Sequence, residues 1–129
     1  MSVLFKSVPD FRNSKGFGVI YCRVYQNGNE LDPIKSLSFL ENPPTSPSRG
    51  DMYYQLDTQN KRAVLKEYTG STWATSSATD LYTYSYYRRD ADGNLLDTST
   101  PYYVGRVLYV DPEIIGYDRM SFICEVTDS

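Results

Sequence analysis

The sequence predicts an all-β protein built as an antiparallel sandwich or barrel. Short apolar runs recur along its 129 residues, turn signals stand between them at regular spacing, and no long segment carries a helical apolar period. The clearest run is Tyr82-Thr83-Tyr84-Ser85-Tyr86-Tyr87-Arg88-Arg89, which alternates aromatic and small polar side chains as a half-buried strand requires. A chain of this length is expected to form one domain around one core.

Taken in order, residues 1–16 hold a short apolar opening, Val3-Leu4-Phe5, followed by polar residues, Pro9 and Gly16. They predict either an edge strand or an arm reaching a neighbouring subunit. Gly18 to Tyr25 reads as a strand with Ile20, Cys22 and Val24 on one face and Arg23 marking the wetter one. The Asn27-Gly28 pair then predicts a tight hairpin turn, because both residues tolerate positive φ. Glu30 to Leu40 is a return strand or a crossing segment. Residues 41–50 contain three prolines and no apolar period, so they are a loop. Asp51 to Leu56 and Arg62 to Tyr68 form an antiparallel pair about a turn at 57–61, and Thr69-Gly70-Ser71-Thr72 turns the chain into Trp73.

The long aromatic strand follows, with Tyr82, Tyr84 and Tyr86 on one face. Its successor, Asp90-Ala91-Asp92-Gly93-Asn94, has the alternating oxygens of a calcium loop. However, its glycine stands at the fourth place and Pro101 occupies the twelfth, so an Asp-Gly turn is the better reading. Tyr102 to Val104 and Arg106 to Val110 are further extended runs. Asp111 to Gly116 has the Asp-Pro start and glycine stop of one helical turn. The last strand, Ser121 to Val126, turns Phe122, Cys124 and Val126 inward.

Composition narrows the chemistry. The net charge is −3 and the densest basic cluster is Arg88-Arg89, followed at once by acids, so no nucleic-acid partner is expected. No apolar run reaches the roughly 18 residues of a membrane span and no long apolar leader opens the chain, so no membrane partner is expected and folding in a cytosol is. There is no histidine, which removes Ser-His and Cys-His catalysis and leaves too few soft ligands for zinc. No cofactor, metal or catalytic residue is expected, and the chain reads as a non-enzyme. Cys22 and Cys124 are the two cysteines. A disulfide between them would close a loop of about a hundred residues and contribute about 4 to 5 kcal/mol, whereas a cytosolic setting leaves two reduced, buried thiols. Thirteen tyrosines against five phenylalanines suit interfaces as well as strands.

Two stretches carry resemblances. Gly50-Asp51-Met52-Tyr53-Tyr54 with Lys66-Glu67-Tyr68-Thr69-Gly70-Ser71-Thr72-Trp73 resembles a short hairpin unit that recurs in phage fibre and other virion proteins. There the tryptophan closes a miniature core across the hairpin before it serves any ligand. An early strand with inward Cys22, a middle strand whose Tyr86 leads into an arginine pair, and a late Phe122-Ile123-Cys124-Glu125-Val126 strand resemble the B, C and F strands of an immunoglobulin-like domain. Tyr86 stands where many such domains have tryptophan, and Phe122 replaces the tyrosine of the tyrosine corner. Both departures lean toward the looser immunoglobulin-like modules of phage capsid and tail proteins.

The resemblances imply a single immunoglobulin-like antiparallel β-sandwich over residues 1–129, with an N-terminal arm at 1–16 and a loop-and-hairpin insertion at 41–79. Cys22, Tyr84, Tyr86, Phe122 and Cys124 are then its core. They imply a non-enzymatic virion protein of a bacteriophage, decorating the capsid or attached to tail or neck and assembled in the host cytoplasm. Its partners would be other virion proteins and further copies of itself. Tyr53, Tyr54, Tyr68 and Trp73 are the expected interaction surface. The alternative is a carbohydrate-binding adhesion module, with the same aromatics stacking on a host-surface glycan.

Overall fold

The computed structural model describes the backbone of residues 3–7, 10–11, 18–110 and 120–128, and the side chains of 18–110 and 121–128. The described residues form thirteen strands and no helix: β1 (Val3–Ser7), β2 (Asp10–Phe11), β3 (Gly18–Tyr21), β4 (Tyr25–Gln26), β5 (Asn29–Glu30), β6 (Phe39–Leu40), β7 (Met52–Asp57), β8 (Arg62–Tyr68), β9 (Trp73–Thr75), β10 (Tyr82–Arg89), β11 (Tyr103–Val104), β12 (Val107–Val110) and β13 (Met120–Asp128). The fold is an all-β sandwich. The helical turn expected at Asp111 to Gly116 lies outside the described residues.

One sandwich layer runs β1-β13-β10-β11, with β2 also paired to β13; the other is the antiparallel pair β12-β3. The two longest strands, β10 and β13, are in register from Tyr82 opposite Asp128 to Arg89 opposite Ser121. Their inward positions are Tyr84, Tyr86, Phe122, Cys124 and Val126, which meet Ile20, Cys22, Val24, Leu108 and Val110 from the facing layer. Period-two alternation thus places every second residue of four strands in one core. The two cysteines lie on facing layers as free, buried thiols, the reduced of the two expected states.

Within the layers β3 pairs with β12 and β10 with β13, both antiparallel. The place beside β13, on the side away from β10, is taken by β1. The opening residues are therefore an edge strand over Val3–Ser7 and a short pairing at Asp10–Phe11.

The hairpin turn at Asn27-Gly28 is formed by two residues of positive φ, 53° and 82°, between β4 and β5. This is the geometry a two-residue turn needs to match strand twist. The segment after β5 is a crossing one, and pairing resumes at Phe39. There β6 runs parallel to β7, and β7, β8 and β9 follow as an antiparallel meander. The insertion is therefore a four-stranded sheet that begins two residues before its expected start.

This sheet packs on the outer face of β3 and β12. Tyr21 stacks on Phe39 at 5.4 Å between ring centroids, and Phe39 on Tyr54 at 5.5 Å. β8 approaches β12, all four residues of which are buried although only Leu108 and Val110 belong to the core between the sandwich layers. The molecule is thus three layers deep, with β3 and β12 in the middle.

Candidate functional site

The aromatics expected to form an exposed surface occupy two different faces of the inserted sheet. Tyr54 points inward on β7 toward Phe39 and is buried. Burial, with a smaller contribution from the charge of Asp80, pushes its phenol up to about 12. Tyr53, Tyr68 and Trp73 share the opposite face. Trp73 meets Tyr53 edge-on at 4.9 Å and Tyr68 at 5.3 Å, which leaves Tyr53 only 2% exposed and the other two half-buried. Tyr53 and Tyr54 thus offer little surface to a partner. Period two showed which face each side chain takes, but not that other rings cover both faces.

The hairpin holds this cluster by local chemistry. Asp57 accepts hydrogen bonds from the backbone of Gln59 and Asn60 and from Asn60 Nδ2 at 2.7 Å, closing the first turn. At the second, Thr69 Oγ1 accepts from Thr72 N at 3.2 Å, and Gly70 takes a φ of 107° that a side chain would resist.

Cys22, Tyr84, Tyr86, Phe122 and Cys124 all sit in the sandwich core, none more than 5% exposed. Tyr86 turns its hydroxyl to the Arg106 carbonyl at 2.9 Å. Burial, ahead of the neighbouring thiols, raises its ionisation far above the usual phenol range.

Sequence reasoning missed a buried charged cluster at the end of this core. Arg106, whose side chain is 2% exposed, donates from Nε to the Cys22 carbonyl at 2.9 Å and from Nη2 to the Asp32 carbonyl. Its Nη1 donates to Asp80 Oδ1 at 2.9 Å and lies 3.5 Å from Asp32 Oδ2. Its guanidinium carbon lies 4.3 Å from the centre of the Tyr84 ring. Asp32 Oδ2 also accepts from Tyr84 Oη at 2.8 Å and from the backbone of Leu81 and Tyr82. Burial first, then the hydrogen bond to Asp32, raises the Tyr84 phenol. The cluster joins the hairpin segment, the end of the insertion and both sandwich layers. The one signal for it was an arginine opening an otherwise apolar strand.

Beside this cluster lies a cleft of about 340 Å³ lined by Asp80, Tyr82, Thr83, Tyr84, Val104 and Arg106 with their neighbours. A second hollow, about 220 Å³, lies on the outer face of β10 and β13 among Tyr87, Leu95, Asp97, Thr98, Ile123 and Glu125. Arg88 holds its wall by a two-pronged bond to Asp97 at 2.9 and 3.0 Å, which keeps that carboxyl below its ordinary value. Val104, 56% exposed, and Leu95, 42% exposed, leave this face partly apolar.

The calcium-like stretch is a turn. Asp90 Oδ1 accepts from the backbone of Asp92 and Asn94 at 3.0 and 2.9 Å, and Gly93 takes a φ of 86°. Among the described residues no three acids or cysteines gather where they could hold a metal ion. Comparison of the chain with protein-family models, curated proteins and solved structures finds no match.

Proposed function

We propose that this chain is a non-enzymatic structural protein of a bacteriophage particle, a capsid decoration or tail or neck accessory, acting through protein–protein contacts. The observation that carries the reading is the contrast between the layers' faces. Rings and aliphatic side chains cover both sides of β3 and β12, while at the rim of the outer face of β10 and β13 two apolar side chains, Val104 on β11 and Leu95 after β10, are exposed among the described residues. Apolar side chains in a charged surround on a stiff sheet are the usual form of a docking face. The resemblance of residues 50–73 to a virion hairpin unit adds the setting. The contact surface moves, however, from Tyr53, Tyr54, Tyr68 and Trp73 to the rim of β10 and β13. The glycan alternative draws less support, because Trp73 spends its ring on Tyr53 and Tyr68 and a sugar needs an open aromatic face.

The test is to purify particles from the producing host by density gradient and quantify this chain by mass spectrometry. A fixed number of copies per particle is expected, falling at least tenfold for a Val104→Asp variant that remains folded. Absence of the chain from purified particles overturns the reading.

A further inference from the structure

The charge balance at the 340 Å³ cleft is uneven. Its one guanidinium, Arg106, has all three nitrogens engaged, by the carbonyls of Cys22 and Asp32 and by Asp80, so it has little left to offer an anion. Asp80 on the cleft wall and Asp32, buried behind the wall, both pair with that guanidinium, one negative charge in excess. Hydrogen bonds from Leu81, Tyr82 and Tyr84 meet part of that excess at Asp32 Oδ2. Asp32 is 1% exposed, and its Oδ1 accepts none among the described residues. Asp80 is the member of the cluster that reaches solvent, with 24% of its side chain exposed on the cleft wall.

The remaining lining suits a cation on an apolar stem. Ala78 and Val104 give aliphatic surface, Tyr82 and Tyr84 give rings, and Thr79 and Thr83 give hydroxyls. A basic side chain lays its methylenes along such walls while its charged head seeks a carboxylate.

We infer that this cleft receives a lysine or arginine side chain of a partner protein, with Asp80 as its counter-charge. The inference rests on the contact reading for the partner's being a protein; recognition of the cation stands apart from it.

The experiment is an NMR titration of the whole chain with Nα-acetyl-lysine amide and Nα-acetyl-arginine amide, with Nα-acetyl-norleucine amide and acetate as controls. Saturable shifts at the Thr83, Val104 and Gly105 amides are expected with a cationic probe. They should weaken about tenfold in Asp80→Asn, a loss of about 1.4 kcal/mol, and should weaken with added salt. Because Asp80 also holds Arg106, a second variant, Val104→Lys, puts a cation at the cleft from an exposed position and should suppress the probe response in a folded protein. An equal response to the norleucine probe, a response to acetate, or no saturable response to either cation overturns the inference. A silent titration with particle incorporation intact removes the cleft proposal alone. A responsive cleft in a chain absent from particles removes the particle reading alone.

Discussion

Arg106 carries more of the structure than any other charged residue described. It is buried, bonded through every nitrogen, and shared among segments far apart in sequence, with Cys22, Asp32 and Asp80 as partners. Removing one member of a buried pair leaves the other charged and unpaired, which typically costs about 3 to 5 kcal/mol. Arg106→Ala should lose that much in urea unfolding, and a loss under about 1 kcal/mol would mean the cluster is not the tie described. Nothing local in the sequence marks Asp32, which reads as part of a return strand or crossing segment before Pro33. The pairing exists only once the chain has folded. By contrast, the inward set of Tyr84, Tyr86, Phe122 and Cys124 was legible, since alternation alone sorts the two faces of a strand.

The buried tyrosines give a pH dependence at the same scale. An acid whose pKa is raised on folding keeps its proton in the native state after the unfolded chain has lost it. Tyr54, pushed up to about 12, therefore supports the fold fully below the ordinary phenol value near 10. That support is lost as pH rises toward 12, and Tyr84 and Tyr86, also raised, act in the same sense. Stability followed by circular dichroism should fall steeply above about pH 10, and Tyr54→Phe should make the fall shallower there. Asp97 works at the other end. Lowered chiefly by Arg88, it stabilises above its unfolded value and loses that contribution as pH falls through its folded one, so Asp97→Asn should flatten the acid limb below about pH 4.

At the scale of elements, the inserted sheet is the feature that sequence reading located but did not place. Its strands, turns and cross-hairpin tryptophan were legible because turn chemistry and period two are local properties. Its packing on β3 and β12 was not, because Tyr21, Phe39 and Tyr54 each look like ordinary strand residues until they stack. Phe39→Ala should loosen this seam while leaving the sandwich core intact. Amide exchange should then speed up across β7, β8 and β9 and stay slow in β10 and β13, which share no side chain with the seam. Equal acceleration in both regions would show that the insertion and sandwich open as one unit.

The described residues form a sandwich with a third layer packed on the outer side of β3 and β12. The middle pair, β3 and β12, is a two-stranded sheet, too small to stand alone. It is stabilised by apolar contact on both sides, much as a buried strand pair inside a larger protein would be. This arrangement turns Tyr54 inward onto Phe39 and gathers Tyr53, Tyr68 and Trp73 on the far side of the inserted sheet, whereas the proposed contact surface lies at the rim of β10 and β13.

The most direct measurement is a set of nuclear Overhauser contacts in the free protein, from the Phe39 ring to Tyr21 on one side and Tyr54 on the other. The three-layer account predicts strong contacts in both directions, with residues 50–76 tumbling at the same rate as β10 and β13. Missing contacts, with the inserted sheet tumbling independently, would contradict it.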